Sequence, residues 1–422
     1  MRLRTPGVTP SSLPWRVGAP AGAVALLLAA AACGGGGDAE TAGQGSLTIW
    51  SDPERAEVLE PFATEFGEAN GVEVKVEALP ADDLQGDFVT AHGAGSGPDI
   101  VVGAHDWIGN LVQNGAIDPV RLPEGAEAGY DPAAIDAVTY QDQVYGVPYA
   151  MESLLLLRNT ELAPDAPATM EELVETGKAL QEDGKAEEAL ALQVGQTGDP
   201  FHLQPLYTSA GGYLFGTDDD GDPDPSDLGV GTDASVEAME RIAELGEKGE
   251  GVLKRSIDAD NAPSLFEGGD VPYYVTGPWA LAGAEDAGID YAVSPVPGFE
   301  GAEQAAPFLG VQAFFVAAGG ENKVLAEEFV VNGVGAPELA SALYEADPRP
   351  PALNEVSETY QESDPDLAAM REAAEQAVPM PVIPEMSAVW DPFGKAQAAV
   401  IGGEDPASAV AAAEKAVSEQ IG

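Results

Sequence analysis

Ser46-Leu-Thr-Ile-Trp50, Val72-Glu-Val-Lys-Val76 and Asp99-Ile-Val-Val102 are three short apolar-rich runs, and we predict each of them to be a β-strand. The segments between them, residues 59–66 and 83–91, are predicted to be helical. A strand-helix-strand-helix-strand order is typical of a parallel sheet with helices on both faces. Because ligands bind beyond the carboxyl ends of the strands in such sheets, the loops after the first and third strands are the first candidates for a binding site.

Further helices are predicted later in the chain, so the fold class is α/β. Thr169 is placed to cap the first of them. These helices are predicted at residues 170–182, 234–247, 323–331, 367–377 and 407–420.

No metal or other cofactor is expected. The acid-rich residues 218–227 are predicted to be a hairpin loop, but Gly216 stands where a calcium loop would begin with an acid. The three histidines, His92, His105 and His202, lack the spacing of zinc ligands.

The N-terminal residues have the pattern of an export leader. Arg2, Arg4 and Arg16 flank the start of an apolar stretch, residues 17–32, that is too short to span a bilayer. Small residues then precede Cys33, the only cysteine, and this arrangement resembles the cleavage box of bacterial lipoproteins, although Ala30 replaces the usual branched residue. We therefore expect a lipoprotein signal peptide at residues 1–32 and lipid attachment at Cys33. The alternative is an ordinary signal peptide with a chance cysteine.

A Gly-rich tether, residues 33–45, is predicted to hold the folded part of the chain away from the membrane. The remaining length exceeds what a single hydrophobic core usually supports, so two domains or lobes are expected. With one cysteine there is no disulfide framework to replace such cores.

The net charge of −54 excludes nucleic acid as a partner, because phosphate recognition requires clustered Lys and Arg. A hydrophobic content of 45% argues for a packed globule rather than disorder. We interpret the acidic surface as an adaptation to a salty habitat, where salt would screen the repulsion.

Six separated segments together resemble the maltose/maltodextrin-binding proteins of ABC importers, over residues 46–420. They are, in order, Leu47-Thr-Ile-Trp50; Gly97-Pro-Asp-Ile100 with Ala104-His-Asp106; Tyr145-Gly-Val-Pro-Tyr-Ala-Met-Glu152; Gly211-Gly-Tyr213; Thr276-Gly-Pro-Trp279; and Ile383-Pro-Glu-Met-Ser-Ala-Val-Trp390. The resemblance implies a periplasmic-binding-protein-like type II fold with two α/β lobes, a hinge and a ligand cleft between the lobes. The N-lobe would comprise residues 46–150 plus 307–356, and the C-lobe residues 151–306 plus 357–422.

The resemblance also implies which side chains bind a sugar. Asp106 and Glu152 match hydroxyl-binding carboxylates, whereas Trp279 and Trp390 match stacking aromatics. Independently, a sugar needs acceptor-rich side chains around its hydroxyls and flat rings against its C–H faces. Structural alternatives are a helix N-cap for Asp106, core packing for the tryptophans, and an ion pair with Arg158 for Glu152.

Other members of the predicted site depart from the family pattern. Glu54 and Arg55 stand where the family has an Asp-Lys pair, and Phe201 stands at a stacking Tyr, although Arg55 could also be a solvated helix-start residue. Gly103 replaces a stacking Trp and Trp107 an Arg, so an aromatic ring could have moved within that loop. Asp391 begins a segment that lacks the family's Tyr and Arg.

The combined hypothesis is a membrane-tethered, extracytoplasmic substrate-binding component of a carbohydrate ABC importer, acting as a monomer. It would bind a maltose- or maltodextrin-type oligosaccharide by hinge closure and present it to the permease, without catalysis. Another glucoside, a cyclodextrin or a polyamine remains an alternative ligand, and a secreted glycosidase is the alternative from another functional class.

Overall fold

The computed structural model of the protein describes residues 45–218 and 221–422. The predicted signal peptide, the lipid attachment at Cys33 and the tether up to residue 44 lie outside the described residues. The described strands are β1 Ser46–Ser51, β2 Glu73–Ala78, β3 Ile100–Ala104, β4 Ile117–Asp118, β5 Thr139–Tyr140, β6 Gln143–Val144, β7 Gly146–Ser153, β8 Leu155–Asn159, β9 Ala191–Leu192, β10 Phe215–Thr217, β11 Pro223–Leu228, β12 Tyr273–Thr276, β13 Tyr291–Ser294, β14 Phe308–Ala317 and β15 Val378–Pro379.

Helices flank these strands along the whole described chain, so the fold is a mixed α/β fold, as predicted. The α-helices are α1 Pro53–Asn70, α2 Ala81–Gly93, α3 Trp107–Gln113, α4 Pro132–Ala137, α5 Met170–Glu182, α6 Pro200–Ser209, α7 Asp233–Leu245, α8 Ala262–Glu267, α9 Leu281–Asp286, α10 Lys323–Glu328, α11 Pro337–Ala346, α12 Asn354–Gln361, α13 Pro365–Ala373, α14 Trp390–Ile401 and α15 Pro406–Ile421. Among residues 45–218 and 221–422, no helix combines the length and the apolar composition needed to cross a membrane.

The first sheet has the strand order β15-β14-β3-β1-β2, with β4 and β7 also paired to β14. β1 pairs in parallel with both β2 and β3, which confirms the parallel arrangement predicted for the three N-terminal strands. β14 runs antiparallel to β3 and β7 and is buried along its whole length. A strand buried in this way reads as a continuous apolar run rather than an alternating one.

The second sheet has the strand order β13-β8-β12-β9. Only Leu154 separates its strand β8 from β7 of the first sheet. A separate hydrophobic core packs on each sheet: Leu47 and Phe314 belong to the first, whereas Leu156 and Phe393 belong to a core on the second. The chain therefore passes from one sheet to the other at Leu154, beside a predicted lobe boundary; the full residue ranges of the two lobes stay a prediction.

The helix predictions differ from the structure mainly at the helix ends. Helix α5 has the predicted bounds, with the Thr169 hydroxyl capping its first turn. The helix predicted at residues 323–331 is α10, which continues as a π-helix, Phe329–Val334. α13 ends at Ala373 instead of residue 377, four residues short, because the chain then turns toward the edge strand β15.

The acid-rich residues 218–227 were predicted to be only a hairpin loop, and this prediction was wrong in part. β11, Pro223–Leu228, begins inside this segment and pairs with β10. Because these two strands form a separate two-stranded sheet with exposed positions, the carboxylates can remain in water while the backbone pairs.

Candidate functional site

Two helices begin at the carboxyl ends of β1 and β3, where the sequence predicted the binding loops. Asp52 caps α1 by accepting a hydrogen bond from the backbone N–H of Arg55 at 3.1 Å, and it also forms an ion pair with the Arg55 guanidinium. Asp106 occupies the N-cap position of α3 but its side chain makes no capping hydrogen bond. The carboxylate of Asp106 is therefore not used as a helix cap.

A cavity of about 740 Å³ elsewhere on the surface contains none of the predicted site residues, but a smaller cavity of about 330 Å³ contains three. Glu54, Arg55 and Trp279 all line this smaller cavity. The Arg55 side chain is 11% exposed, and its guanidinium carbon lies 5.8 Å from the ring centre of Tyr149. The solvated role considered for Arg55 is therefore wrong, because burial and pairing with Asp52 hold it inside the fold.

Glu152 is buried on β7 and both of its carboxylate oxygens are engaged. Oε1 accepts a hydrogen bond from Nε2 of Gln312 at 2.9 Å, and Oε2 forms an ion pair with Arg349. Arg158, the partner considered in the structural alternative for Glu152, instead donates to the backbone carbonyls of Ala163 and Pro164. Arg158 belongs to β8 in the second sheet, so proximity in sequence to Glu152 did not bring the two charges together.

Arg349 is the functional candidate that sequence reasoning missed. Besides Glu152 it pairs with Asp347, whose Oδ2 lies 2.6 Å from Nε, and its guanidinium carbon lies 5.4 Å from the ring centre of Trp279. The only signal in the sequence is an arginine set between prolines, Asp347-Pro-Arg-Pro-Pro351, in a chain with few basic residues.

The neighbouring residues His105 and Asp106 are electrostatically coupled to Glu152. The pKa of Asp106 is raised to about 7, mainly by burial, and the nearby Glu152 carboxylate acts in the same direction. Burial lowers the pKa of His105 to about 4, against smaller opposing effects. Its Nδ1 accepts a hydrogen bond from the Val311 backbone N–H at 3.1 Å, so the neutral imidazole carries its proton on Nε2. The carboxyl of Asp106 can thus change its charge near neutral pH.

The indole of Trp107 lies directly on Gly103. A Cβ atom on Gly103 would overlap the six-membered ring of Trp107. Trp107 is partly buried against the core of the first sheet and partly exposed. The ring thus fills the place where a side chain at position 103 would begin; that an aromatic ring moved within this loop stays a prediction.

The remaining predicted aromatics form a connected series. The ring centres of Trp279 and Phe201 are 6.3 Å apart, those of Phe201 and Phe308 6.2 Å, and those of Phe308 and Trp390 6.1 Å. Phe201, Trp279 and Trp390 all pack against the core of the second sheet yet stay partly exposed. The same rings therefore pack on the core and keep part of their surface exposed.

Asp391 differs from the other predicted site residues. Its side chain is 69% exposed, and its Oδ2 lies 2.7 Å from Nζ of Lys395 one helical turn later. Asp391 follows Trp390 of the aromatic series in α14, but its carboxylate pairs with Lys395. The structure therefore connects Glu54, Arg55 and Trp279 in one cavity and Trp279, Phe201 and Trp390 in one series. Four predicted site residues belong to neither group: Asp106, Trp107, Asp391, and Glu152, which lines a separate cavity of about 420 Å³.

This arrangement is suited to holding a neutral polyol. Partly exposed indole rings offer flat apolar surface for sugar C–H groups, while carboxylates accept hydrogen bonds from hydroxyls. The two arginines are already paired with carboxylates, so they leave little unmatched positive charge for an anionic ligand.

Comparison with known proteins adds independent findings. A profile described as "Bacterial extracellular solute-binding protein" matches residues 62–370. The chain is 28% identical to a galactooligosaccharide-binding protein of Bacillus subtilis (strain 168), over 94% of this chain and 95% of that protein. It is 29% identical to a maltotriose-binding protein of Pyrococcus abyssi, over 82% of this chain and 76% of the relative. A maltooligosaccharide ABC transporter solute-binding lipoprotein of Streptococcus pneumoniae (strain ATCC BAA-255 / R6) is 27% identical, over 84% of each chain.

Proposed function

Because the chain belongs to the bacterial extracellular solute-binding proteins, we propose that it captures a neutral oligosaccharide of the maltodextrin type for an ABC importer. Relatives named for maltotriose and maltooligosaccharide binding support this ligand class, and the relative named for galactooligosaccharide supports a neutral oligosaccharide more generally. The proposed binding residues are Glu54, Arg55, Asp106, Trp107, Glu152, Phe201, Trp279, Trp390 and Asp391.

The observation that carries the proposal is the position of Trp279. Its indole lines a cavity together with Glu54 and Arg55, which lie just after β1 of the first sheet. Trp279 itself follows β12 of the second sheet and packs against the core there. A sugar in this cavity would contact residues from both sheets, so its binding energy would favour the arrangement that brings them together.

Capture without covalent chemistry is part of the proposal. A glycosidase needs one carboxylic acid that can donate a proton and a second carboxylate that can attack or activate water. Glu152 is 8% exposed and both of its oxygens are engaged by Gln312 and Arg349, which suits a positioning role better than either catalytic role. The relatives, named as binding proteins, support the same view.

We further propose that Cys33 carries a lipid anchor and that the protein acts as a monomer at the outer face of the membrane. The lipoprotein named among the relatives supports the anchor. Metabolic labelling with a radioactive fatty acid tests it: wild-type protein should incorporate the label, and the Cys33→Ser variant should not. Equal labelling of both would rule out this anchor.

The ligand proposal is tested by thermal shift with a panel of maltose, maltotriose, longer dextrins, cyclodextrin, trehalose, a galactooligosaccharide and spermidine. A ligand that binds only the folded state raises the melting temperature, and the shift grows with the logarithm of the ligand concentration relative to its Kd, so at one sugar concentration the tighter ligand gives the larger shift. Maltotriose or longer dextrins should give the largest shift. A shift with spermidine alone would favour a polyamine receptor, and a shift only with the galactooligosaccharide would change the proposed sugar. Release of reducing ends during incubation would indicate a glycosidase.

A further inference from the structure

We propose that Arg349 is a positioning residue that fixes the Trp279 indole relative to Glu152, and so prepares one end of the proposed sugar site before any ligand binds. This inference rests on the function proposed above and adds a residue to it. The geometry that supports it is the set of contacts around the buried Arg349 guanidinium, which meets Glu152, Asp347 and Trp279.

The backbone around Arg349 is anchored to the first sheet. Arg349 lies in the connector between α11 and α12. On its C-terminal side, the carbonyl of Pro350 accepts a hydrogen bond from the N–H of Met151 at 2.7 Å, and Ala352 donates to the carbonyl of Tyr149 at 3.0 Å. These bonds hold the connector along β7, the strand that carries Glu152.

The side chain of Arg349 reaches from this anchor to the core of the second sheet. Its side chain is 9% exposed, as is that of Glu152, so their ion pair lies almost out of water. The guanidinium carbon also lies 5.4 Å from the Trp279 ring centre, within the range of a cation–π contact. One planar group is therefore held by a carboxylate of one sheet while it contacts an indole packed on the other.

The chemistry of the guanidinium explains why an arginine is needed here. A planar guanidinium can bind carboxylates along its edge and stack its face on an aromatic ring, whereas a lysine ammonium is a point charge on a flexible stem. Glu152 and Asp347 both pair with Arg349, so two carboxylates more than offset its single positive charge. The group is therefore assigned to orienting Trp279 and Glu152 rather than to attracting an anionic sugar.

The test compares Arg349→Lys and Arg349→Met with Arg158→Lys. Arg158 is a matched control, since it is equally buried at 8% but binds backbone carbonyls in the second sheet. Maltotriose affinity is measured by calorimetry well below the melting temperature, so that only folded protein is titrated. The emission of Trp279 is obtained as the difference between each variant and the same variant carrying Trp279→Phe.

Both Arg349 variants should shift the emission of Trp279 and weaken maltotriose binding, by about 10-fold for Arg349→Lys. Arg158→Lys should change neither property. A purely structural role for Arg349 would lower the melting temperature without these two effects, so wild-type emission and affinity in Arg349→Lys would overturn the inference. If wild-type protein binds no sugar, the proposed function fails. In that case the emission of Trp279 in the Arg349 variants still decides whether Arg349 positions the Trp279 indole.

Discussion

The indole of Trp107 takes up the space into which a side chain at Gly103 would grow, so these two positions can hold one aromatic ring between them but not two. The loop after β3 therefore has room for one large ring at this place, which can come from residue 103 or from residue 107. The role of Trp107 can therefore be tested by transferring the aromatic ring from position 107 to position 103.

Trp107→Ala should weaken maltotriose binding by about 10-fold or more, because buried aromatic contacts dominate binding energies of this kind. Moving the ring back, in the double variant Gly103→Trp with Trp107→Ala, should recover part of the loss. Calorimetric titration measures both. Wild-type affinity in Trp107→Ala would remove this residue from the site.

Sugar binding should depend on the protonation of Asp106. Its carboxyl has a pKa of about 7 in the folded protein, because burial disfavours the charged form. Hydroxyl groups donate more strongly to a charged carboxylate, so maltotriose affinity should rise by about 5-fold between pH 5.5 and 8.5. Titrations of Asp106→Asn over this range should be nearly flat. A wild-type profile equal to that of the variant contradicts the assignment.

The protonation of Asp106 should also affect the free energy of unfolding. This free energy should fall as pH rises, whereas sugar affinity should increase. The folded-state pKa of Asp106 lies above its ordinary value of 3.8, so the folded state binds more protons between those values and loses stability as pH rises through them. His105, whose pKa is lowered to about 4, acts in the other direction and lowers stability as pH falls below 6.5. The difference in unfolding free energy between wild-type protein and Asp106→Asn isolates the first effect; it should grow in favour of the variant from pH 4 to 7.

Glu152→Ala should destabilise the fold as well as the site. Removing this carboxylate leaves the buried Arg349 with Asp347 as its remaining charged partner, and breaking a buried ion pair from one side costs about 3 kcal/mol. Denaturant unfolding provides the measurement. Glu358→Ala, at an exposed position of α12, is the control and should change stability little. Equal unfolding midpoints for the two variants would show that the Glu152–Arg349 pair contributes nothing.

The acidic surface predicts a strong response to salt. With a net charge of −54, repulsion between surface carboxylates should destabilise the folded state at low ionic strength. At about 1 M salt the Debye length is roughly 3 Å, so most of this repulsion is screened. Thermal unfolding should therefore occur at a higher temperature in molar sodium chloride than in dilute buffer. An unchanged melting temperature would reject the proposed adaptation to a salty habitat.

The sequence predicted those parts of the fold that local patterns control. β1, β2 and β3 were recognised from short apolar runs separated by helices, and their parallel pairing followed from that order. Helix α5 was recognised from its cap. The strand inside the acidic segment was missed, because its composition indicates a loop and only pairing with β10 makes it a strand.

The site was harder to predict because its charges pair over long sequence distances. Arg158 was the nearest candidate ion-pair partner of Glu152 in the sequence, but the actual partner, Arg349, is 197 residues away. No periodicity or spacing connects such positions; the connection arises only when the connector after α11 lies along β7. The aromatic residues were found because Trp279 and Trp390 lie in segments that resemble known binding proteins.

Tryptophan emission during titration with maltotriose is the measurement that tests the central claim most directly, because Trp107, Trp279 and Trp390 all belong to the proposed site. We expect a saturable change in emission at one sugar per protein, which is greatly reduced in Trp279→Phe. Folded protein whose emission stays constant with maltotriose and with every other neutral sugar of the panel would contradict the account.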